Sequence, residues 1–325
     1  MTEITMVQAV RSALEHELER DERVIVLGQD VGRNGGVFRA TDGLQARFGE
    51  SRVIDTPLSE NGIVGTSIGL AASGLVPVVE IQFLGFTYQA FEQIAGQAAR
   101  WRFRSWGRYN CPLTIRSPYG GGVRTPELHS DALEALFLHT PGLRVVAPST
   151  AADARGLLLS AIRDPDPVLV LEPLRGYRAI RDEVPEDDTT VPIGAARLVR
   201  EGRDLTLIAW SAMVPVAAAA AERAASEGIS TEVIDLRTIA PMDAGALVAS
   251  VEKTGRAIIV HEAPQTGGVG AEIVATLMEK AFLSLEAPIE RVTGYDTPYP
   301  LGIFEDRYLP DAERVLTAIR RVAAY

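Results

Sequence analysis

The sequence predicts an α/β protein of two domains, each built on a mainly parallel sheet flanked by helices. Three observations carry that prediction. Apolar runs of strand length alternate with helical stretches through the first half of the chain, a segment at 178–192 rich in Asp, Glu, Pro and Thr breaks the rhythm, and the alternation then restarts. The expected division is a first domain over 1–180, a linker over 181–195 and a smaller second domain over 196–325. With 325 residues, 46% apolar and 23% charged, each half has enough material for its own core.

In chain order, Thr5 and Gln8 form a capping-box signature, and Val7, Val10, Leu14 and Leu18 then recur at helical spacing. The first element is therefore an amphipathic helix. Apolar runs place strands at 24–27, 53–54, 76–81, 113–115, 143–146 and 168–171, with helices over 87–104, 131–139 and 151–163. The second half repeats the pattern, with strands at 205–210, 231–234, 256–260 and 289–292 and helices over 212–227, 244–253 and 271–281.

The most informative position is Glu60. It stands between a short apolar strand and a run, 61–79, without a single ionisable side chain. Gly62, Gly65, Gly69, Gly74 and Pro77 interrupt that run, which makes it a poor membrane span and a better buried helix feeding a strand. Burial disfavours the ionised form of a carboxyl, so Glu60 is either paired or poised to exchange a proton. An acid complementing the dipole of a first helical turn is the bland alternative.

Composition narrows the remaining classes. The balance of 32 basic and 43 acidic residues, formally −11, argues against nucleic-acid or anionic-membrane surfaces and suits a basic protein partner. One cysteine, Cys111, cannot make an internal disulfide, and four scattered histidines form no zinc constellation. The amino-terminal stretch has neither the basic region nor the apolar core of a signal peptide, so a cytoplasmic location is expected.

Two glycine clusters remain. Gly267, Gly268 and Gly270 follow a strand and precede a helix, but the third glycine of a dinucleotide loop and its ribose-binding acid are missing. Gly120, Gly121 and Gly122 open a loop that runs to His129, and a histidine on such a loop is a candidate for function. His139 and His261 read as structural. Phe83, Phe86, Tyr88 and Phe91 would ordinarily be core, yet Gly85 among them suggests a loop where a ring could face a planar ligand.

Taken together, DTPLSE around Glu60, EIQFLGF at 80–86, GGGVRTPELHSD at 120–131, SAIRDPDPV at 160–168 and EVIDLRTIAP at 232–241 resemble the β subunit of the thiamine diphosphate-dependent 2-oxoacid dehydrogenases. The resemblance runs nearly end to end. It implies a pyrimidine-binding domain followed by a transketolase-type C-terminal domain. It also implies that Glu60 hydrogen-bonds a pyrimidine ring nitrogen of thiamine diphosphate and shares a proton with it. Phe86 would stack on that ring, with Leu58 and Gln82 nearby, and His129 would line the substrate end. A monovalent cation, K+, would be held by backbone oxygens of Leu113, Ala161 and Ile162 and by Asp164 and Asp166. Some relatives carry an amide where this chain has Asp166.

Thiamine enzymes hold Mg2+ and diphosphate on a Gly-Asp-Gly motif, which this chain lacks. The resemblance therefore implies an α subunit supplying that half of the site in a heterotetramer of two α and two β chains. A lipoyl-acyltransferase, recognised through its subunit-binding domain at the carboxyl-terminal domain, would accept the acyl group; Glu286 and the Tyr325 carboxylate are the candidate contacts. The implied reaction is oxidative decarboxylation of a 2-oxoacid. GGGVRTPELHSD points to pyruvate, while HEAPQTGG at 261–268 and LEAPIERVTGYDTPYP at 285–300 resemble branched-chain dehydrogenases acting on 2-oxoisovalerate. A transketolase-like or deoxyxylulose-phosphate-synthase-like enzyme, and a scaffold without catalysis, are the other readings. Against the first stands the chain's length, and against the second the presence of both Glu60 and His129.

Overall fold

The computed structural model describes residues 2–325. Strand β1 (Thr2–Thr5) leads into helix α1 (Met6–Arg20), closed by the expected capping box: Thr5 Oγ1 accepts from the Gln8 amide, and the Gln8 side chain accepts from the Thr5 amide at 2.9 Å. Next come β2 (Val24–Gly28), α2 (Leu44–Phe48), β3 (Val53–Asp55), α3 (Glu60–Ala72) and β4 (Val76–Glu80). An irregular helical run ends in α4 (Trp101–Arg104), and β5 (Thr114–Tyr119), α5 (Glu134–Leu138), β6 (Arg144–Val146), α6 (Ala151–Ile162), β7 (Val168–Pro173) and α7 (Gly176–Ala179) follow. The chain continues through β8 (Arg181–Val184), β9 (Arg197–Arg200), β10 (Leu205–Ala209), α8 (Met213–Ser226), β11 (Thr231–Asp235) and β12 (Thr238–Ala240). It ends with α9 (Ala244–Thr254), β13 (Ala257–Pro264), α10 (Val269–Lys280), β14 (Glu290–Gly294), α11 (Glu305–Tyr308) and α12 (Ala312–Val322).

Seven strands form one sheet in the order β12-β6-β7-β5-β4-β2-β3, all parallel except β12. Five form another, β14-β13-β10-β11-β9, parallel except β9. Both meet the expectation of mainly parallel sheets covered by helices. The interior strands β4, β5 and β7 are buried along their whole length, as strands covered on both faces must be. A continuous apolar core joins the halves, drawing Leu27, Ile115 and Leu169 from the first sheet and Ile208, Ile259 and Ile273 from the second half.

Several expectations need correction. Residues 181–195 are not a free linker throughout, because β8 pairs antiparallel with β1 at the start of the chain. Strand β12 belongs by position to the second half yet pairs with β6 of the first sheet, so the halves interlock. The helix expected over 87–104 is instead a 3-10 turn at Leu84–Ala90, a π-helical stretch at Glu92–Gln97, a second 3-10 turn at Ala98–Arg100, and then α4. Gly85 and Gly96 weaken α-helical preference there, and π segments recur beside functional sites. The helix expected from 131 starts only at Glu134. Among the described residues no helix is long and apolar enough to cross a membrane.

Candidate active site

Strands β3, β2, β4 and β5 are neighbours, and the segments leaving the C-terminal ends of β3, β4 and β5 carry Glu60, Gln82 with Phe86, and His129 respectively. Crevices at the C-terminal ends of parallel strands are where α/β proteins bind ligands. The topology therefore gathers at one sheet edge what the sequence spreads over seventy positions.

Glu60 is the first residue of α3, whose amino end is capped by Ser59 Oγ accepting from the Gly62 amide at 3.3 Å. Its side chain is 5% exposed and Oε2 has no hydrogen-bond partner among the described residues. Beyond Glu60 itself helix α3 carries no charge, so no basic side chain on its own helix pairs with the acid. Asn61 Nδ2 donates to the Gln89 carbonyl at 3.3 Å and ties α3 to the 84–90 turn. That turn in turn abuts the 127–129 turn: a Cβ on Gly85 would stand 2.1 Å from the Leu128 carbonyl oxygen, so only glycine permits the approach.

The close approach builds an aromatic cup. The His129 ring lies 4.4 Å from that of Phe83 and 5.0 Å from that of Phe86, both edge-on, and Phe83 and Phe86 are 5.5 Å apart. His129 Nδ1 is buried without a partner among the described residues. Gln82 is half-buried and donates to Asp30 at 3.4 Å, and Leu58 is 65% exposed on the rim ahead of Glu60. One acid and one imidazole, carried on segments that leave the C-terminal ends of neighbouring strands, thus each present a buried polar atom unsatisfied among the described residues. Buried orphans of that kind mark a missing ligand or solvent.

The five residues expected around K+ lie elsewhere, at the start of β5 and in the turn after α6. Leu113 precedes β5 and the glycine loop follows it, so about 20 Å of strand separates the two places. The Leu113 carbonyl accepts from the Val168 amide at 3.0 Å and that of Ala161 from the Asp164 amide at 3.2 Å. Asp164 accepts from the Asp166 amide at 2.9 Å and pairs with Arg144, while Asp166 accepts from Arg102 at 2.6 Å. Both carboxylates are already paired with guanidinium groups, Asp164 with Arg144 and Asp166 with Arg102.

Residues that sequence reasoning passed over surround the glycine loop. Cβ atoms on Gly120, Gly121 and Gly122 would stand 1.7 Å from Glu262 Oε1, 1.4 Å from Tyr299 Oη and 2.6 Å from Arg175 Cβ, so each glycine of the triplet meets a different side chain. Burial, reinforced by the charge of Glu134, pushes the Glu262 carboxyl up to about 8, and burial alone accounts for Glu134 rising to about 7. Glu134 accepts from Trp210 Nε1 at 3.3 Å across the domain junction. The neighbouring His261, stacked 5.2 Å from Trp210, is lowered by burial to about 4, and both its ring nitrogens are buried without a side-chain or backbone partner among the described residues.

Comparison with known proteins identifies the two domains and the family. Residues 2–179 match the transketolase pyrimidine-binding domain and residues 194–315 the transketolase C-terminal domain. The chain is 53% identical over 325 residues, all of both chains, to a Bacillus subtilis protein named pyruvate dehydrogenase E1 component subunit beta. Proteins of the same name from Staphylococcus epidermidis and Staphylococcus aureus are 55% and 54% identical over 316 residues, 97% of each chain. Among solved structures, a split-gene transketolase described as an inactive β4 tetramer superposes with a TM-score of 0.81 at 24% identity, covering 99% of this chain and 98% of that one. That likeness shows the fold alone, and the full-length identities of 53–55% separate the two enzyme readings in favour of the dehydrogenase β subunit. The chain belongs to the β subunits of the thiamine diphosphate-dependent 2-oxoacid dehydrogenases, built as a transketolase-type pyrimidine-binding domain followed by a transketolase-type C-terminal domain.

Proposed function

We propose that this chain is the β subunit of a cytoplasmic pyruvate dehydrogenase, supplying the pyrimidine half of a thiamine diphosphate site shared with an α subunit. The observation that carries the reading is the buried Glu60 carboxyl, its Oε2 unpartnered among the described residues, at the head of a helix tied to the turn that carries Phe86 against His129, in a chain whose full-length relatives at 53–55% identity bear that name. Thiamine diphosphate, when bound, supplies the electron sink for decarboxylation.

The protein's part is position and proton exchange. Glu60 Oε2 holds or releases a proton at a pyrimidine nitrogen, Phe86 offers a ring face or edge to that heterocycle, and Leu58 and Gln82 border it. His129, through Nδ1, donates to the 2-oxoacid or to the incoming lipoyl group. Because the chain has no Gly-Asp-Gly, Mg2+ and the diphosphate fall to the α subunit, and the working unit is two α and two β chains. The acyl group passes to a lipoyl-acyltransferase. Oxygens of Leu113, Ala161, Ile162, Asp164 and Asp166 are the place for K+, where the ion would have to displace or share with Arg102 and Arg144.

One reconstitution tests these points. The purified chain alone should show no decarboxylation, and mixing with its α chain should restore turnover of pyruvate well above that of 2-oxoisovalerate. Replacing potassium by choline chloride at equal ionic strength should lower the heat stability of the pair. Turnover by the chain alone would overturn the shared site, preference for 2-oxoisovalerate the substrate, and indifference to potassium the cation.

A further inference from the structure

The loop from β5 to His129 belongs to the first domain, but what grips it comes from the second. Glu305 opens α11, and its Oε1 accepts from the Gly122 amide at 2.7 Å and the Arg124 amide at 3.3 Å, while Oε2 accepts from the Arg124 amide at 3.1 Å. The acid is 1% exposed, so these amides replace the water it has lost. Hydrogen bonds from amides to a carboxylate are about twice as strong as neutral ones. Positive φ angles at Gly122 (+104°) and Arg124 (+56°) turn the backbone so that both N–H groups converge on the one carboxyl.

Two neighbours stand beside the grip. Glu262, near the end of β13, packs so closely on the glycine triplet that a Cβ on Gly120 would stand 1.7 Å from its Oε1, and Arg124 Nη2 donates to Asp306 Oδ2 at 2.7 Å. Inside the loop, Thr125 and Ser130 hydroxyls meet at 2.8 Å and close its far end. The loop is thus fixed at its glycine end by the second domain, and four residues past Thr125 it delivers His129 into the aromatic cup.

We propose that Glu305, with Glu262 packed against the glycine triplet beside it, is a positioning residue for the substrate end of the site: the second domain sets the place of His129 by holding the backbone amides of Gly122 and Arg124. The proposal rests on the reading of His129 as lining the substrate. It makes the second domain a participant in substrate handling, although neither acid reaches the aromatic cup. Cofactor affinity should be separable from substrate use, because Glu60 and Phe86 stand on α3 and the 84–90 turn, which Glu305 does not touch.

The test uses the assembled α and β chains carrying Glu305→Ala or Glu305→Gln. Amide hydrogen exchange across 121–129 should accelerate on the order of 10-fold in the alanine variant and less in the glutamine variant, which keeps one acceptor oxygen. Misplacement of a group by an ångström costs up to about 10²-fold, so kcat/KM for the 2-oxoacid should fall on the order of 10-fold or more, while thiamine diphosphate affinity and the unfolding temperature stay near those of the parent. Partial recovery in Glu305→Gln supports the clamp. Unchanged exchange over 121–129 overturns it, as does a parallel loss of cofactor affinity, heat stability and turnover. Should the alanine variant fail to assemble, Glu305→Gln decides alone, and parent values in both measurements refute the proposal. If the parent assembly turns over no 2-oxoacid, the functional reading fails and the exchange measurement alone decides the clamp.

Discussion

Leaving a carboxyl oxygen buried and unpartnered costs about 1–3 kcal/mol, and Glu60 carries that cost at the head of a helix that could have begun with serine or asparagine. Replacing it by glutamine keeps shape and burial but removes the exchangeable acid. Turnover of the assembled enzyme should fall on the order of 10²-fold or more with folding and assembly intact, and proton exchange at the thiazolium carbon should slow with it; exchange at the parental rate would remove Glu60 from the chemistry. Glu262 illustrates the opposite use of burial. A carboxyl raised to about 8 when folded contributes stability that is fully present below its unfolded value of 4.5 and lost as pH rises through 8. His261, lowered to about 4, runs the other way: its contribution is present above 6.5 and lost as pH falls through 4. The two oppose each other between 4.5 and 6.5, and above 6.5 only the raised acids act. From pH 6.5 to 8 the assembly should therefore lose stability, by at most about 1.4 kcal/mol per pH unit for each proton released. Glu262→Gln should flatten that decline in unfolding midpoints, and a slope equal to the parent's would assign the titration to another group.

At the level of elements, legibility follows the reach of the signal. Runs such as 76–81 and 168–171 announce buried parallel strands because both faces are covered and no polar alternation intrudes. Helix α1 is equally plain, its cap and its apolar stripe agreeing on one start. Strand β12 is not, being three residues whose only reason to be extended is the free edge of β6, about ninety positions away. The same logic divides the site. Glu60 stands out as a charge at the edge of an uncharged run, whereas Glu305 is one acid among many until it is seen to meet Gly122, 183 positions earlier. The irregular 84–104 stretch lies between these cases, for Gly85 signalled a departure from a simple helix but not that the Leu128 carbonyl would fill its place. Gly85→Ala should accordingly push the 84–90 and 127–129 turns apart, at the roughly 1–3 kcal/mol of an overpacked contact. Weaker thiamine diphosphate binding should accompany the lowered unfolding temperature, and an alanine variant matching the parent in both would show that the two turns are not held in register by this contact.

For the whole molecule, surface character bears on assembly. Phe103 and Trp106 are 87% and 93% exposed and border an apolar hollow of about 560 Å³ with Ala98, Gly142 and Pro167, a surface suited to burial between subunits. The acidic excess of −11 suits a basic partner arriving by electrostatic steering. Of the two contacts expected for the acyltransferase, Glu286 is already paired with Arg256 at 2.7 Å, which leaves less of its charge free, while Tyr325 is 70% exposed beside Arg321. Helix α12 buries Val315, Leu316, Ala318, Ile319 and Val322, and Ala323 still packs against the same core, whereas Ala324 and Tyr325 are exposed, so removing those two takes nothing from it. Ending the chain at Ala323 should therefore weaken binding of the basic subunit-binding domain while decarboxylation with an artificial electron acceptor stays near the parental rate. Raising salt should slow association of the parent more than that of the truncated chain, because the carboxyl-terminal charge no longer stands in its place. Equal loss of binding and decarboxylation would instead assign the tail to subunit assembly.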